Sequence, residues 1–202
     1  INIVDLNLDG WPDIYVSASN RSQPEERRNK LFIHEGLNEQ GIPVFSEKAG
    51  EYGIDDEGYS THGLFFDYDR DNDLDLYVLT NVLDIPDPNT YRPRTIDGTA
   101  TNNDRLYRNE GNGRFTEVTE EAGILYEGYG LGISLVDINL DGWPDMYITN
   151  DYLPNDLLYV NNRDGTFTNR IADYLKHQTH SAMSHDIADI NNDGWIDIYT
   201  LD

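Results

Sequence analysis

Cysteine is absent from the 202-residue chain, so disulfide bonds contribute nothing to its stability. No apolar run reaches the roughly 18 residues that a membrane-spanning helix requires, and we expect no direct membrane insertion by this segment. Basic residues are scarce, with 14 Lys and Arg against 38 Asp and Glu and a net charge of −24. Such a chain repels phosphate groups, so nucleic acid is not an expected partner. Metal ions are the cross-link that we expect in place of disulfides.

The acidic residues are concentrated in four loops of one pattern: loop 1 (Asp5–Asp13), loop 2 (Asp67–Asp75), loop 3 (Asp137–Asp145) and loop 4 (Asp189–Asp197). Oxygen-bearing side chains occupy positions 1, 3, 5 and 9. Position 6 is Gly or Asn, the residues that most readily adopt a left-handed backbone. Hard oxygen ligands around a sharp turn suit Ca²⁺, which takes roughly six to eight oxygens. The sequence therefore predicts about four Ca²⁺ ions, one in each loop.

Each predicted Ca²⁺ site uses four side chains and the backbone carbonyl of position 7. The predicted ligands are Asp5, Asn7, Asp9, Trp11 and Asp13 in loop 1; Asp67, Asp69, Asp71, Asp73 and Asp75 in loop 2; Asp137, Asn139, Asp141, Trp143 and Asp145 in loop 3; and Asp189, Asn191, Asp193, Trp195 and Asp197 in loop 4.

These loops differ from EF-hands, which place a bidentate Glu at position 12 and helices on both sides. Here position 12 is Val16, Val78, Ile148 or Thr200, and the flanking runs are typical of strands. We therefore predict hairpin loops. Loop 2 is the all-Asp loop, and we expect it to bind Ca²⁺ most tightly. Solvated acidic turns without metal are the alternative; Mg²⁺ fits less well because it demands stricter geometry.

The loops belong to a longer internal repeat, because Ile1–Val16 aligns with Ile133–Ile148. Each unit carries short runs rich in Tyr, Ile, Val, Phe and Thr, bounded by Gly, Asn and Asp, which is typical of strands and turns. Four strands per unit predict an all-β fold, a β-propeller of four-stranded blades with about three and a half blades present. The expected units are 1–57, 58–127, 128–178 and 179–202. We expect the chain to be part of a longer propeller.

Two insertions interrupt this pattern, at Asn20–Asn29 and at Val82–Asn103, each between the second and third strands of its unit. They are either tolerated surface loops or a contact surface for partners. His34 is expected to be an exposed strand residue. A transition-metal site formed by His177, His180 and His185 is a weak alternative, because neither strand nor helix periodicity brings all three to one face.

Three segments show a resemblance to a known family most clearly: Phe65–Asn81, Asp104–Ile124 and Ser184–Asp202. The resemblance covers essentially the whole chain. These segments resemble the FG-GAP/VCBS repeats of integrin-like β-propellers, closest to bacterial proteins in which such repeats accompany an ASPIC/UnbV domain (the cartilage-acidic-protein-like group). The resemblance implies a Ca²⁺-bound propeller of about seven blades at the bacterial cell surface, as an outer-membrane lipoprotein beside SusC/SusD-type transporters. Loop 2 departs from the family pattern at Asn72, which stands in place of Gly.

The functional prediction is a non-enzymatic, extracellular calcium-binding propeller that serves as a binding or scaffold module for a protein or glycan ligand. The location is expected to be extracellular or on the bacterial outer-membrane surface. An accessory role in a SusC/SusD-type uptake complex is one form of this prediction. The alternative is a glycan lyase or hydrolase that uses channel-facing His62 and His185 with the basic cluster Tyr91–Arg94.

Overall fold

The computed structural model describes residues 1–19, 22–82 and 88–202. The parts of the two predicted insertions at 20–21 and 83–87 lie outside the described residues. The first sheet contains β1 (Asn2–Val4), β2 (Asp13–Val16), β3 (Lys30–Leu37) and β4 (Pro43–Glu47). The second contains β5 (Ser60–Phe66), β6 (Asp75–Thr80), β7 (Arg105–Asn109) and β8 (Phe115–Glu117). The third contains β9 (Gly130–Val136), β10 (Asp145–Asn150), β11 (Leu157–Asn161) and β12 (Phe167–Asn169). The last is the pair β13 (Ser184–Ala188) and β14 (Asp197–Leu201).

Each sheet is an antiparallel meander in which neighbours in sequence are neighbours in space. Helix is confined to a 3₁₀ turn at Pro24–Glu26, α1 (Ala49–Tyr52) and α2 (Ile171–Tyr174) in the described ranges. The prediction of an all-β chain of repeated four-stranded sheets is confirmed, with three complete sheets and a fourth of two strands. The strands of each sheet fall within one of the four units expected from the sequence.

The first strands of successive sheets lie side by side: β1 contacts β5, β5 contacts β9, and β9 contacts β13. Glycines on β5 and β9 let these strands approach the second strand of the preceding sheet closely. A Cβ at Gly63 would lie 2.9 Å from the Tyr15 ring, and one at Gly130 would lie 2.9 Å from Leu79. The Thr61 hydroxyl also donates to the Gly130 carbonyl at 2.9 Å across the second seam.

The hydrophobic core lies between the faces of successive sheets. The strand that follows each loop is apolar on both faces, and β6 and β10 are buried at every residue. Buried side chains fill the spaces between the first and second sheets (Tyr15, Leu31, Ile54, Leu76, Val78), the second and third (Tyr77, Leu79, Leu106, Met146, Tyr159), and the third and fourth (Val136, Tyr147, Leu158, Val160). Tyr199 on β14 is 56% exposed, whereas its counterparts Tyr15, Tyr77 and Tyr147 are at most 1% exposed.

The prediction that His34 is exposed is wrong, because its side chain is only 5% exposed. Its ring stacks on Trp11 at 4.7 Å between centroids and 4° between planes, and it meets the edge of Phe45 at 4.9 Å. Loop 1 thus covers β3 with an indole. Strand periodicity does not show this, since the covering residue lies in a loop.

No helix among the described residues has the length and apolar character to cross a membrane.

Candidate metal centres

The four acidic loops occupy one place in the topology, the turn from the first to the second strand of each sheet. Position 6 has a left-handed backbone in every loop, at Gly10, Asn72, Gly142 and Gly194, as predicted. Position 4 is left-handed as well, which sequence reasoning missed, at Leu8, Arg70, Leu140 and Asn192. Two left-handed residues in three tighten the loop and turn successive side-chain oxygens toward its interior.

In loop 1 the first three predicted ligands share hydrogen bonds with one short stretch of backbone. Asp5 accepts the N–H of Asp9 at 3.0 Å and that of Gly10 at 2.9 Å, one on each carboxylate oxygen. Asn7 Oδ1 accepts the same Asp9 N–H at 3.1 Å, and Asn7 Nδ2 donates to Asp9 Oδ2 at 3.0 Å. Asp9 Oδ1 accepts the Trp11 N–H at 2.8 Å. The oxygens of positions 1 and 3 therefore converge on the N–H of position 5.

Loops 3 and 4 repeat this network bond for bond. The matching bonds join Asp137, Asn139, Asp141, Gly142 and Trp143 in loop 3, and Asp189, Asn191, Asp193, Gly194 and Trp195 in loop 4, all at 2.8–3.0 Å. The same local sequence thus produces the same geometry in three different surroundings.

The aspartate at position 9 is fully buried in the three four-stranded sheets. Asp13 Oδ2 accepts the N–H of Leu6 at 3.0 Å, and Oδ1 accepts that of His34 on β3 at 2.8 Å. Asp75 and Asp145 make the same two bonds, to position 2 of their loop and to the third strand. In loop 4, Asp197 makes the bond to position 2, at 3.0 Å. Position 9 therefore joins the loop to the sheet, and each oxygen retains a lone pair for a cation.

Loop 2 has fewer internal hydrogen bonds and more unpaired oxygens. One oxygen each of Asp67, Asp69 and Asp71 lies within 4.8 Å of the other two. Buried Oδ1 atoms of Asp67, Asp69 and Asp73 have no hydrogen-bond partner among the described residues. A cluster of carboxylate oxygens with unused lone pairs is the donor set that a hard divalent cation such as Ca²⁺ takes. The residues present therefore fit the predicted ion.

Burial and mutual repulsion both act on these carboxyl groups. Burial, followed by the charge of Asp71, raises the pKa of Asp73 to about 6. Burial raises the pKa of Asp75 to about 8, opposed by the backbone N–H bonds from Asn109 and Tyr68. The pKa of Asp69 is raised by burial and then by Asp71. A nearby cation would lower the pKa of each of these carboxyl groups.

The three tryptophans at position 7 have different surroundings. The Trp11 indole stacks on His34 within its own sheet. The Trp143 ring faces the Arg70 guanidinium at 4.5 Å, which brings loops 2 and 3 together across two sheets. Trp195 is 64% exposed. Arg163, in the turn between β11 and β12, also pairs with Asp141 at 2.7 Å, so these turns lie at the same end of the molecule as the loops.

The residues of the enzymatic alternative are not brought together. His62 lies on β5, and burial lowers its pKa. His185 lies on β13, where its ring contacts Thr149 at 3.3 Å and the edge of Tyr147 at 4.9 Å. In the described residues no contact joins these histidines to each other or to Arg92 and Arg94. The histidines at 177, 180 and 185 form no metal-sized cluster there either.

A second repeated network, which sequence reasoning missed, lies at the other end of the second strand. The Tyr77 hydroxyl donates to Asp104 at 3.0 Å, and Asp104 accepts the Thr80 N–H at 2.8 Å. Tyr147 and Asn150 make the same bonds to Asp156 at 2.7 and 2.9 Å, and Asn29 takes the place of the aspartate beside Tyr15 and Ala18. The signal in the sequence was an Asp or Asn immediately before each third strand.

Four-stranded meanders packed by their first strands, each with an acidic nine-residue loop at the first turn, define a class of all-β repeat proteins. The sequence profile described as FG-GAP-like repeat matches residues 5–78, 96–148 and 137–200. The chain belongs to the FG-GAP-like repeat family. No curated protein matches the chain. Members of this repeat family are generally non-enzymatic, and the repeats indicate a binding or scaffold module.

Proposed function

We propose that the chain is a segment of a calcium-binding β-propeller, about seven-bladed when whole, that serves outside the cell as a non-enzymatic binding or scaffold module. The observation that carries the proposal is loop 2, where oxygens of Asp67, Asp69 and Asp71 lie within 4.8 Å of one another. Buried Oδ1 atoms of Asp67, Asp69 and Asp73 have no hydrogen-bond partner among the described residues. The other three loops present the same backbone shape with Asn at position 3, which lowers their charge. One Ca²⁺ per loop gives about four ions.

Calcium in these loops would stabilise the fold in two ways. Each ion would join the end of a first strand to the start of a second, because positions 1 and 9 flank the loop. Each ion would also neutralise carboxylates in a chain whose net charge is −24 and whose self-repulsion opposes folding. The metals are therefore assigned to the scaffold, and chemistry at a substrate is not assigned to them.

The chelation experiment tests this proposal directly. We expect EDTA to lower the melting temperature followed by circular dichroism, and Ca²⁺, but not an equal concentration of Mg²⁺, to restore it. Asp69→Asn should weaken the tightest calcium event in calorimetry, whereas Glu39→Gln, in the exposed turn between β3 and β4, should leave it unchanged. An unchanged melting temperature after chelation, with no calcium in elemental analysis, would overturn the proposal.

The extracellular location rests on chemistry that suits the outside of a cell. Weak calcium sites fill where free Ca²⁺ is abundant, and a cysteine-free chain stiffened by metal needs no oxidising enzymes. The proposed setting is the bacterial outer-membrane surface, as an accessory lipoprotein of a SusC/SusD-type uptake complex with a protein or glycan ligand. Protease added to intact cells should degrade the protein, and it should co-purify with a transporter from detergent-solubilised membranes. Full protection from the protease would contradict the location.

A further inference from the structure

A cleft lies at the end of the molecule opposite the acidic loops. Three connections line it: the second-to-third strand turns of the second and third sheets and the link between those sheets. Its volume is about 290 Å³, just below the roughly 300–1,000 Å³ range of small-molecule sites. Its lining includes Thr90, Tyr91, Arg92, Arg94, Leu153 and Asn155.

Ionic contacts between the buried Glu127 and the exposed Arg92 hold the wall of this cleft in place. Glu127 is buried. Its carboxylate accepts hydrogen bonds from both η nitrogens of Arg92, at 2.5 and 2.8 Å, and from the Thr95 N–H at 2.6 Å. Arg94 donates to the Glu127 carbonyl and, at 3.2 Å, to the carbonyl of Asn155 on the other side of the cleft. Bidentate guanidinium–carboxylate pairing fixes both partners in one orientation. The cleft is therefore formed before any ligand arrives.

The Glu127 carboxylate is already paired with Arg92, which leaves Arg94 as the one other charged side chain among the described lining residues. A cationic ligand would gain little from the Glu127 carboxylate, because both of its oxygens already accept hydrogen bonds from Arg92. An anion would gain from Arg94, yet it would approach a chain with a net charge of −24. A ligand without charge avoids both costs.

The surfaces that remain suit a molecule with an apolar face and a polar rim. Tyr91 lines the cleft and is 91% exposed, so most of its surface is in contact with solvent. Arg94 Nη2 is buried and has no hydrogen-bond partner among the described residues. Thr90 adds a hydroxyl, and Asn155 adds a side-chain amide, since its described hydrogen bonds use the backbone carbonyl. A sugar ring presents C–H groups to an aromatic face and hydroxyl groups to such donors and acceptors.

We propose that this cleft binds neutral sugar residues of an oligosaccharide, with Tyr91 as the stacking platform and Arg94, Thr90 and Asn155 as hydrogen-bonding groups. The proposal rests on the proposed function as a binding module and names the ligand class. A peptide is less favoured because Leu153 is the single aliphatic side chain, apart from prolines, that lines the cleft in the described residues.

The test is calorimetric titration of the calcium-loaded protein with maltotriose, cellotriose, xylotriose and laminaritriose. At least one should bind with a Kd of about 1 mM or tighter. Tyr91→Ala and Thr90→Val should each weaken that binding, Tyr91→Ala by about tenfold or more, with unchanged melting temperatures. Tyr174→Ala, which removes an exposed tyrosine on α2, is the matched control and should have no effect.

Several outcomes would overturn the proposal. These are no binding of any of the four sugars, binding that Tyr91→Ala leaves unchanged, and binding of trigalacturonate or a proline-rich decapeptide in place of the neutral sugars. The chelation experiment tests calcium binding in the loops at the opposite end of the molecule. The calcium proposal can therefore survive a failure of the sugar proposal, and the reverse also holds.

Discussion

At the scale of single residues, the position-9 aspartates combine a predicted metal-binding role with one that the sequence pattern does not show. Asp145 illustrates it, because its two oxygens accept the backbone N–H groups of Ile138 and Asn161 at 3.0 and 2.8 Å. The loop is thereby tied to the third strand whether or not an ion is bound. The two roles can be separated by working without calcium.

In EDTA, Asp145→Asn should lower the free energy of unfolding by about 1–3 kcal/mol, because the amide NH₂ would face a backbone N–H that needs an acceptor. Urea denaturation measures this. Asp71→Asn is the control: its amide oxygen can still accept the Asp73 N–H, so no bond is lost and one like charge is removed. Equal destabilisation by the two variants would show that position 9 has no special structural role.

The buried tyrosine–aspartate pairs predict a specific pH dependence. Burial raises the pKa of Asp104 to about 7, against the bonds from Thr80 and Tyr77 and the charges of Arg94 and Arg105, which lower it. The folded state therefore holds a proton that the unfolded state releases near its ordinary value of about 4. Stability from this group is complete below that value and is lost as the pH rises through about 7.

Asp104→Asn should remove this dependence. The difference in unfolding free energy between the variant and the unmodified protein should change by up to about 1.4 kcal/mol per pH unit between pH 4 and 7, in favour of the variant as the pH rises. The fold accepts an amide at this place, since Asn29 Oδ1 accepts the Ala18 N–H and Asn29 Nδ2 donates to the Tyr15 hydroxyl. Urea titrations at several pH values measure the slope, and parallel curves for the two proteins would contradict the assignment.

At the scale of strands and loops, local sequence carries most of the architecture. Each loop lies between its two predicted strands, because alternating Asp and Asn residues followed by a β-prone run are typical of a turn that leads into a strand. Contacts between residues far apart in the sequence escaped prediction: the stacking of Trp11 on His34 and the contact of Arg70 with Trp143. The first depends on strand pairing within a sheet and the second on which sheets become neighbours, and a short window of sequence shows neither.

The glycines of the first strands set how closely neighbouring sheets approach. Gly63→Ala should destabilise the protein by about 1–3 kcal/mol, because the new Cβ would lie 2.9 Å from the Tyr15 ring. That ring cannot move aside freely, since its hydroxyl bonds the Ile54 carbonyl at 3.2 Å and Asn29 at 2.9 Å.

Thermal melting compares Gly63→Ala with Gly50→Ala. The second variant adds its Cβ in the short helix α1, where the nearest atom is 3.6 Å away, and should be neutral or slightly stabilising. If the two variants melt alike, the packing of β5 against Tyr15 on β2 is looser than its geometry implies.

At the scale of the whole molecule, the two ends have different proposed roles, calcium binding at one and ligand binding at the other. The acidic loops gather at one end, where Arg70 and Arg163 reach the neighbouring loop or turn. At the other end, the second insertion, the β10–β11 turn and the link between the second and third sheets form the cleft. A scaffold stiffened at one end leaves the other free to vary in sequence without loss of the fold.

The charge of the molecule predicts how salt and calcium substitute for each other. With a net charge of −24, the metal-free protein should gain melting temperature as NaCl rises from about 0.01 to 1 M, because the Debye length falls from about 30 to 3 Å. The gain should be smaller in saturating Ca²⁺, since ions bound in the four loops have already neutralised the closest carboxylates. Scanning calorimetry across the salt series, with and without EDTA, measures both gains. If the two gains were equal, calcium would be acting far from the loops, and the carboxylates of loop 2 would not be the main source of the repulsion.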